Sequence, residues 1–288
     1  MFDAPPVQRE IKEHTNLFKT QDGAELVGQF YAPKRPFAVV VLNGATGVPQ
    51  RFYTHFARWL AAERGMACLT YDYRDTGRSL SGSMRHSRAD MIDWGTSDQS
   101  AARSAARKAY PGVPLWIIGH SLGAMLLPNQ RDLGPVARVI GVASGRVHHN
   151  DHPWPYRATA LAFWFGIGPV ATALCGYLPG NALRFGDDVP AGVYWQWRRW
   201  CTSPEFYTPD LGDRLNPPAW NDDIPARLIA FADDDLIPPQ CVARLGQAYE
   251  GKAEHVVIDP ADHGLDSVGH LGAFSRRNRA IWSRLLEG

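Results

Sequence analysis

The chain has 288 residues, 45% of them hydrophobic and 20% charged, the composition of a globular protein long enough to bury a sizeable core. A formal net charge of +1 gives no electrostatic reason to expect nucleic acid or an anionic membrane as a partner. The four cysteines, Cys68, Cys175, Cys201 and Cys241, include no C-x-x-C pair, which argues against zinc or dithiol chemistry and for reduced thiols.

The first six residues lack a basic stretch followed by an apolar one, so no secretory signal and a cytoplasmic protein are expected. Residues 15–32 alternate polar and apolar around Asp22-Gly23 and predict a β-hairpin. Residues 37–42 form a valine-rich apolar run that suits a strand buried on both faces. Residues 51–64 put Phe52, Phe56, Trp59 and Leu60 on one helical face, with Gly65 as the stop. Another buried strand is predicted at 66–71, and an alanine-rich helix at 97–110. A short strand at 115–118 leads into Gly119-His120-Ser121-Leu122-Gly123, a helix is expected from Ala124, and residues 136–142 again suit a strand.

This alternation predicts an α/β architecture with a mostly parallel central sheet flanked by helices. The pattern breaks over residues 146–223, which are rich in Trp, Pro and Gly. It resumes with a strand at 226–232, a helix at 239–249, a strand at 254–258 and a helix at 272–286. The expected organisation is therefore a core of residues 1–145 and 224–288 with 146–223 as an insertion. Residues 158–178 are the longest apolar stretch, but Gly166, Gly168, Pro169 and Gly176 interrupt it, so no membrane span is expected.

The pentapeptide at 119–123 fits G-x-S-x-G with the context that its chemistry needs, an apolar strand before and a helix-compatible run after. A serine at such a strained turn projects its hydroxyl off the sheet, and small flanking residues let strand and helix approach. The Leu122 amide then lies at a helix N-terminus, where an oxyanion can be stabilised. On this motif and its flanks the chain resembles the α/β-hydrolase superfamily. Gly44-Ala-Thr-Gly-Val-Pro-Gln50, followed by Phe52-Tyr53, and Gly269-His-Leu-Gly-Ala-Phe274 are similar to motifs of a bacterial branch of uncharacterised serine hydrolases.

That resemblance implies the α/β-hydrolase fold, an aromatic-rich lid at 146–223, Ser121 as nucleophile, and Ala45 and Leu122 as the two oxyanion amides. Asn43 stands where the superfamily often has histidine, and Asp75 where its Asp-x-Arg-Gly stretch has glycine. Three carboxylates, Asp233, Asp234 and Asp235, follow the 226–232 strand, where the histidine's partner belongs. The superfamily pattern of Asp, an apolar pair and proline points to Asp235. Two histidines follow the last strand, His263 and His270, and spacing permits either; the matched motif favours His270. The histidines at 148, 149 and 152, with Asp151, are expected on a polar loop and not on a metal.

The expected activity is hydrolysis of an ester or thioester bearing an apolar group, through an acyl-enzyme, with no cofactor and no metal. The expected partner is a small-molecule ester-like substrate, and a homodimer is compatible with the sequence. Acyltransferase, amidase or peptidase chemistry uses the same machinery, and a non-catalytic ligand-binding member is the alternative of another class.

Overall fold

The structure is a computed structural model that describes residues 8–287. An eight-stranded sheet runs in the order β1-β2-β4-β3-β5-β6-β9-β10. Strands β1 (Ile11–Lys19) and β2 (Glu25–Pro33) form the predicted hairpin, with Gly23 at φ 89° in its turn. Strand β2 pairs antiparallel with β4 (Ala67–Tyr71), and every pairing beyond it is parallel. The parallel strands are β3 (Val39–Asn43), β4, β5 (Leu115–His120), β6 (Arg138–Val142), β9 (Ala226–Phe231) and β10 (Glu254–Ile258).

Strand β3 shows why its valine run needed no polar face. Val39 and Val41 pack into one apolar layer, Val40 and Leu42 into the layer on the other side. Helix α1 (Thr54–Ala62) covers the second layer with Phe56, Trp59 and Leu60 buried, and Gly65 at φ 70° follows it. The C-terminal segment closes the same layer, with Phe274 5.0 Å and Trp282 5.4 Å from Phe56 between ring centroids. Helix α2 (Gln99–Ala109) lies against the first layer through Ala101, Ala102 and Ala106.

Strand order reverses at β3: the chain moves from β3 to β4 on one side and then to β5 on the other. Open α/β sheets bind ligands at such a reversal, outside the carboxyl ends of the strands. Asn43 ends β3 and His120 ends β5, so the loop after β3 and the pentapeptide after β5 meet there.

Three expectations need correction. The helix after the pentapeptide, α3 (Leu122–Met125), is only four residues long, because the chain turns through Leu127–Asn129 around Pro128. The predicted 272–286 helix is broken into α9 (Gly269–Gly272), a 3-10 segment (Arg276–Ile281) bent at Asn278, and α10 (Trp282–Leu285). The Asn278 side chain donates to the Gly272 and Ser267 carbonyls, bonding that a straight helix would not allow. The apolar stretch around 158–178 is not broken at Gly166 or Gly168, although Gly176, at φ 75°, ends it. Helix α4 (Tyr156–Ala162), a π turn (Phe163–Ile167) and α5 (Gly168–Cys175) form one 20-residue helical run, long and apolar enough to cross a membrane by length and composition. Pro169 directly follows the π turn, whose closing amide, that of Gly168, donates to the Phe163 carbonyl.

Between β6 and β9 the chain also forms β7 (Tyr177–Leu178), α6 (Gly180–Leu183), β8 (Val189–Pro190) and α7 (Ala191–Thr202). Their rings interlock. Phe163 stacks on Phe185 at 4.3 Å, and Trp164 meets Trp197 edge-on at 5.0 Å. Helix α8 (Pro239–Gly246) then returns the chain to the sheet.

Candidate active site

Ser121 occupies a backbone conformation of φ 54°, ψ −113°, strained for a residue with a Cβ. The turn is held from both sides. Its amide donates to the Val142 carbonyl at 3.0 Å, and its carbonyl accepts the Ser144 hydroxyl at 2.5 Å. The flanking glycines are required by contact. A Cβ on Gly119 would lie 2.3 Å from the Gly123 carbonyl carbon, and one on Gly123 would lie 2.2 Å from the Asn43 carbonyl oxygen. The pentapeptide is thus a sharp strand-to-helix turn pressed against the end of β3.

Asn43 explains its own departure from histidine. Its side-chain amide donates to the Gly123 carbonyl at 3.0 Å, and its oxygen accepts the Tyr71 hydroxyl at 2.8 Å. The loop that follows is held by Tyr73, whose hydroxyl donates to the Gly44 carbonyl at 2.9 Å. Ala45, expected as an oxyanion donor, is corrected here. It is buried and its amide donates to the Tyr53 hydroxyl at 2.9 Å, because the ring just before α1 reaches back beneath the loop. Thr46, one residue on, lines the cavity beside Ser121 and Leu122 instead.

Of the three adjacent aspartates, Asp234 and not Asp235 reaches His270. Asp234 Oδ2 lies 2.9 Å from His270 Nδ1, with the carboxylate fully buried. Its other oxygen accepts the amides of Leu236 and Ile237, each at 2.9 Å, an Asx-type turn that leads into α8. Asp235 is exposed and contacts the site only through its carbonyl, 3.0 Å from His152 Nδ1. Asp233 serves a third role. Its carboxylate accepts the Val268 amide at 2.8 Å and the Gly269 amide at 3.0 Å, fixing the loop that carries His270. Three adjacent aspartates therefore divide into loop anchor, histidine partner and surface group. His263 lies elsewhere, in a surface pocket with Asp259, Asp262, Arg227 and Arg284.

His120, which sequence reasoning treats as a filler, is fully buried and bonded at both ring nitrogens. Nδ1 is 2.8 Å from the Tyr53 hydroxyl, and Nε2 is 2.9 Å from the His270 carbonyl. Burial, then the neighbouring His270, holds its pKa down at about 3, so the ring is neutral at pH 7. Tyr53 and His120 were both missed. Tyr53 gave one signal, an aromatic at the entry of a helix that directly follows a glycine-rich loop.

Ser121 opens into a cavity of about 210 Å³. Met91, Met125, Val147, Phe163, Trp164, Phe185 and Trp197 line it, and its polar lining comes from Thr46, Ser121, His152, Tyr156 and Thr159. Among the described residues, no Asp, Glu, Lys or Arg contributes to that lining. Burial lowers the His152 pKa and raises that of Tyr156 to about 12, so both side chains are neutral near pH 7. The histidines at 148 and 149 stay outside it, and Asp151 is held by Arg244 at 2.7 Å.

Residues 39–280 match the profile described as Alpha/beta hydrolase family. The chain belongs to this family. Its fold is shared with solved hydrolases at low identity. An esterase of Pyrococcus furiosus is 13% identical with a TM-score of 0.58, covering 99% of this chain and 97% of that one. A thermostable carboxyl esterase of Bacillus coagulans is 13% identical with a TM-score of 0.56, over 87% of this chain and 91% of that one. An alpha/beta hydrolase of Penicillium sp. is 16% identical with a TM-score of 0.60, over 96% of each chain. No curated protein matches the chain. Within the alpha/beta hydrolase family, this chain keeps a serine elbow at a strand-order reversal, with the buried Asp234 bonded to the half-buried His270 on the loops after β9 and β10.

Proposed function

We propose that the protein is a serine esterase that cleaves an uncharged ester or thioester with an apolar group through an acyl-enzyme on Ser121. The observation that carries this reading is the strained Ser121 at the mouth of an apolar cavity, together with His270 bonded to the buried Asp234 carboxylate. His270 removes the Ser121 hydroxyl proton as the oxygen attacks the carbonyl carbon, and later returns it to the leaving alcohol or thiol. Asp234 binds Nδ1–H, which leaves Nε2 as the base and stabilises the imidazolium. Leu122, at the first position of α3, and Thr46 supply the amides for the oxyanion. Water then adds to the acyl-enzyme with His270 as base, and the acid departs.

The uncharged lining favours a neutral acyl group, since an unpaired charge buried there would cost several kcal/mol or more. Two solved proteins of the same fold are named as esterases, which supports the reaction class proposed here but not the choice of acyl group. Residues 146–223 are the proposed lid, because Phe163, Trp164, Phe185 and Trp197 roof the cavity that Ser121 enters.

The test is labelling with a fluorophosphonate, with p-nitrophenyl butyrate turnover measured in parallel. Wild type should be labelled on Ser121, and Ser121→Ala should lose both label and turnover. Folded wild type that neither labels nor turns over any p-nitrophenyl ester would reject the reading.

A further inference from the structure

Four groups from distant parts of the chain form one directed line of hydrogen bonds: the Ala45 amide, the Tyr53 hydroxyl, the His120 ring and the His270 carbonyl. The two ends fix every proton between them. The His270 carbonyl can only accept, so His120 Nε2 carries the hydrogen. A neutral ring then has a bare Nδ1, which must accept the Tyr53 hydroxyl proton. The Tyr53 oxygen is left to accept from Ala45, whose amide can only donate. The line is satisfied at every link in this one arrangement. A proton added to His120 would give Tyr53 two donors facing one oxygen and leave its own hydrogen unpartnered.

The line begins in the loop that carries Thr46, passes through the residue before Ser121 and ends on the backbone of His270. We propose that His120 is a positioning residue: as the neutral Nε2–H tautomer it ties the β3 loop and the His270 loop to the elbow, and so fixes Thr46 and His270 relative to Ser121. The proposal rests on the serine-hydrolase reading above. Its physical content is that reacting groups on three loops lose rate steeply when they drift. A displacement of about 1 Å can cost roughly 100-fold. The low basicity of the buried ring supports the neutral form.

The surroundings allow a sharp test. His120 sits among Tyr53, Phe274 and His270, with centroids 5.9, 5.1 and 5.2 Å away, so phenylalanine should be accommodated while both bonds are lost. Glutamine offers an amide donor and a carbonyl acceptor side by side, the same order as Nε2–H and Nδ1. For His120→Phe we expect kcat on p-nitrophenyl butyrate to fall by roughly 10- to 100-fold, with KM changed by less than about 3-fold and slower fluorophosphonate labelling. His120→Gln should recover part of the loss. Tyr53→Phe should lose kcat too, and the double variant Tyr53→Phe with His120→Phe should be no worse than His120→Phe alone, because both break one line. Nitrogen-15 NMR of wild type at pH 7 should show His120 as the Nε2–H tautomer, a reading independent of activity. The proposal is overturned by an Nδ1–H tautomer, by unchanged kcat in folded His120→Phe, or by losses that add in the double variant and track the fall in Tm. An inactive, unlabelled wild type that nevertheless shows the Nε2–H tautomer would instead reject the hydrolase reading, and the positioning role with it.

Discussion

At Asp234 a shift of one residue separates a carboxylate bonded to His270 from one that faces water. Asp234 is fully buried, binds His270 Nδ1 and receives two backbone amides, whereas Asp235 is exposed. Asp234→Asn is therefore expected to lower kcat by about 10⁴-fold, since an amide in this place favours the wrong imidazole tautomer. Asp235→Asn should stay within about 3-fold of wild type, as expected for a surface group. Kinetics on the two variants, with circular dichroism to confirm folding, decide between them. The sequence put all three aspartates at the right strand end but ranked Asp235 first, whereas the contact to His270 is made by Asp234. Choosing among them required the turn itself, in which the amides of Leu236 and Ile237 fold back onto Asp234. The Leu-Ile-Pro-Pro run that follows carried part of that signal, because two prolines set where α8 begins and so where the turn must close. The Ala45 assignment failed for a related reason. Which amide of a glycine-rich loop faces the cavity depends on Tyr53, a partner that no local pattern ties to the loop.

At the scale of elements, the elbow depends on how closely β3, β5 and α3 approach. The strands, their buried faces and the serine turn were legible, because hydrophobic runs and glycines act locally. The lengths of α3 and of the C-terminal helix were not, since Pro128 and the Asn278 side chain decide them through the chain's return path. The continuity of α4 and α5 was hidden as well, because a π turn absorbs Gly166 and α5 begins at Gly168. The contact at Gly123 supplies a prediction at this scale. A methyl there meets the Asn43 backbone at 2.2 Å, where neither strand nor elbow can yield. Gly123→Ala should cost about 1–3 kcal/mol or more in urea melts and should slow labelling of Ser121. Gly82→Ala, at a position with no atom within 4 Å, is the control and should leave both unchanged.

Across the whole molecule, the architecture followed from alternating strands and helices, and the family assignment agrees with it. What did not follow is how far the site depends on buried polar groups drawn from the entire chain. His120 makes that dependence measurable. Its folded pKa of about 3 lies below the ordinary 6.5, so the unfolded chain binds a proton that the folded one refuses. Its contribution to stability is complete above pH 6.5 and is lost as pH falls from 6.5 towards 3, by up to about 1.4 kcal/mol per pH unit. Asp98, which burial pushes up to about 7 against the pull of Arg74, has the opposite slope, because its folded form takes up a proton first. The histidine is therefore read as a difference: urea melts of wild type and His120→Phe from pH 7 to 4 should converge as pH falls. Parallel curves would contradict the buried neutral ring.

The line through His120 has a further consequence, in the order in which a ribosome delivers the chain. Ala45, Tyr53 and Ser121 leave the exit tunnel well before His270, which lies 149 residues beyond Ser121 in the sequence. The last segment also supplies Phe274 and Trp282, which close the apolar layer over α1. Until that segment docks, Ser121 has neither the proposed base nor the carbonyl that ends the line. On the proposed mechanism, Ser121 stays unarmed until the segment that carries His270 has been made.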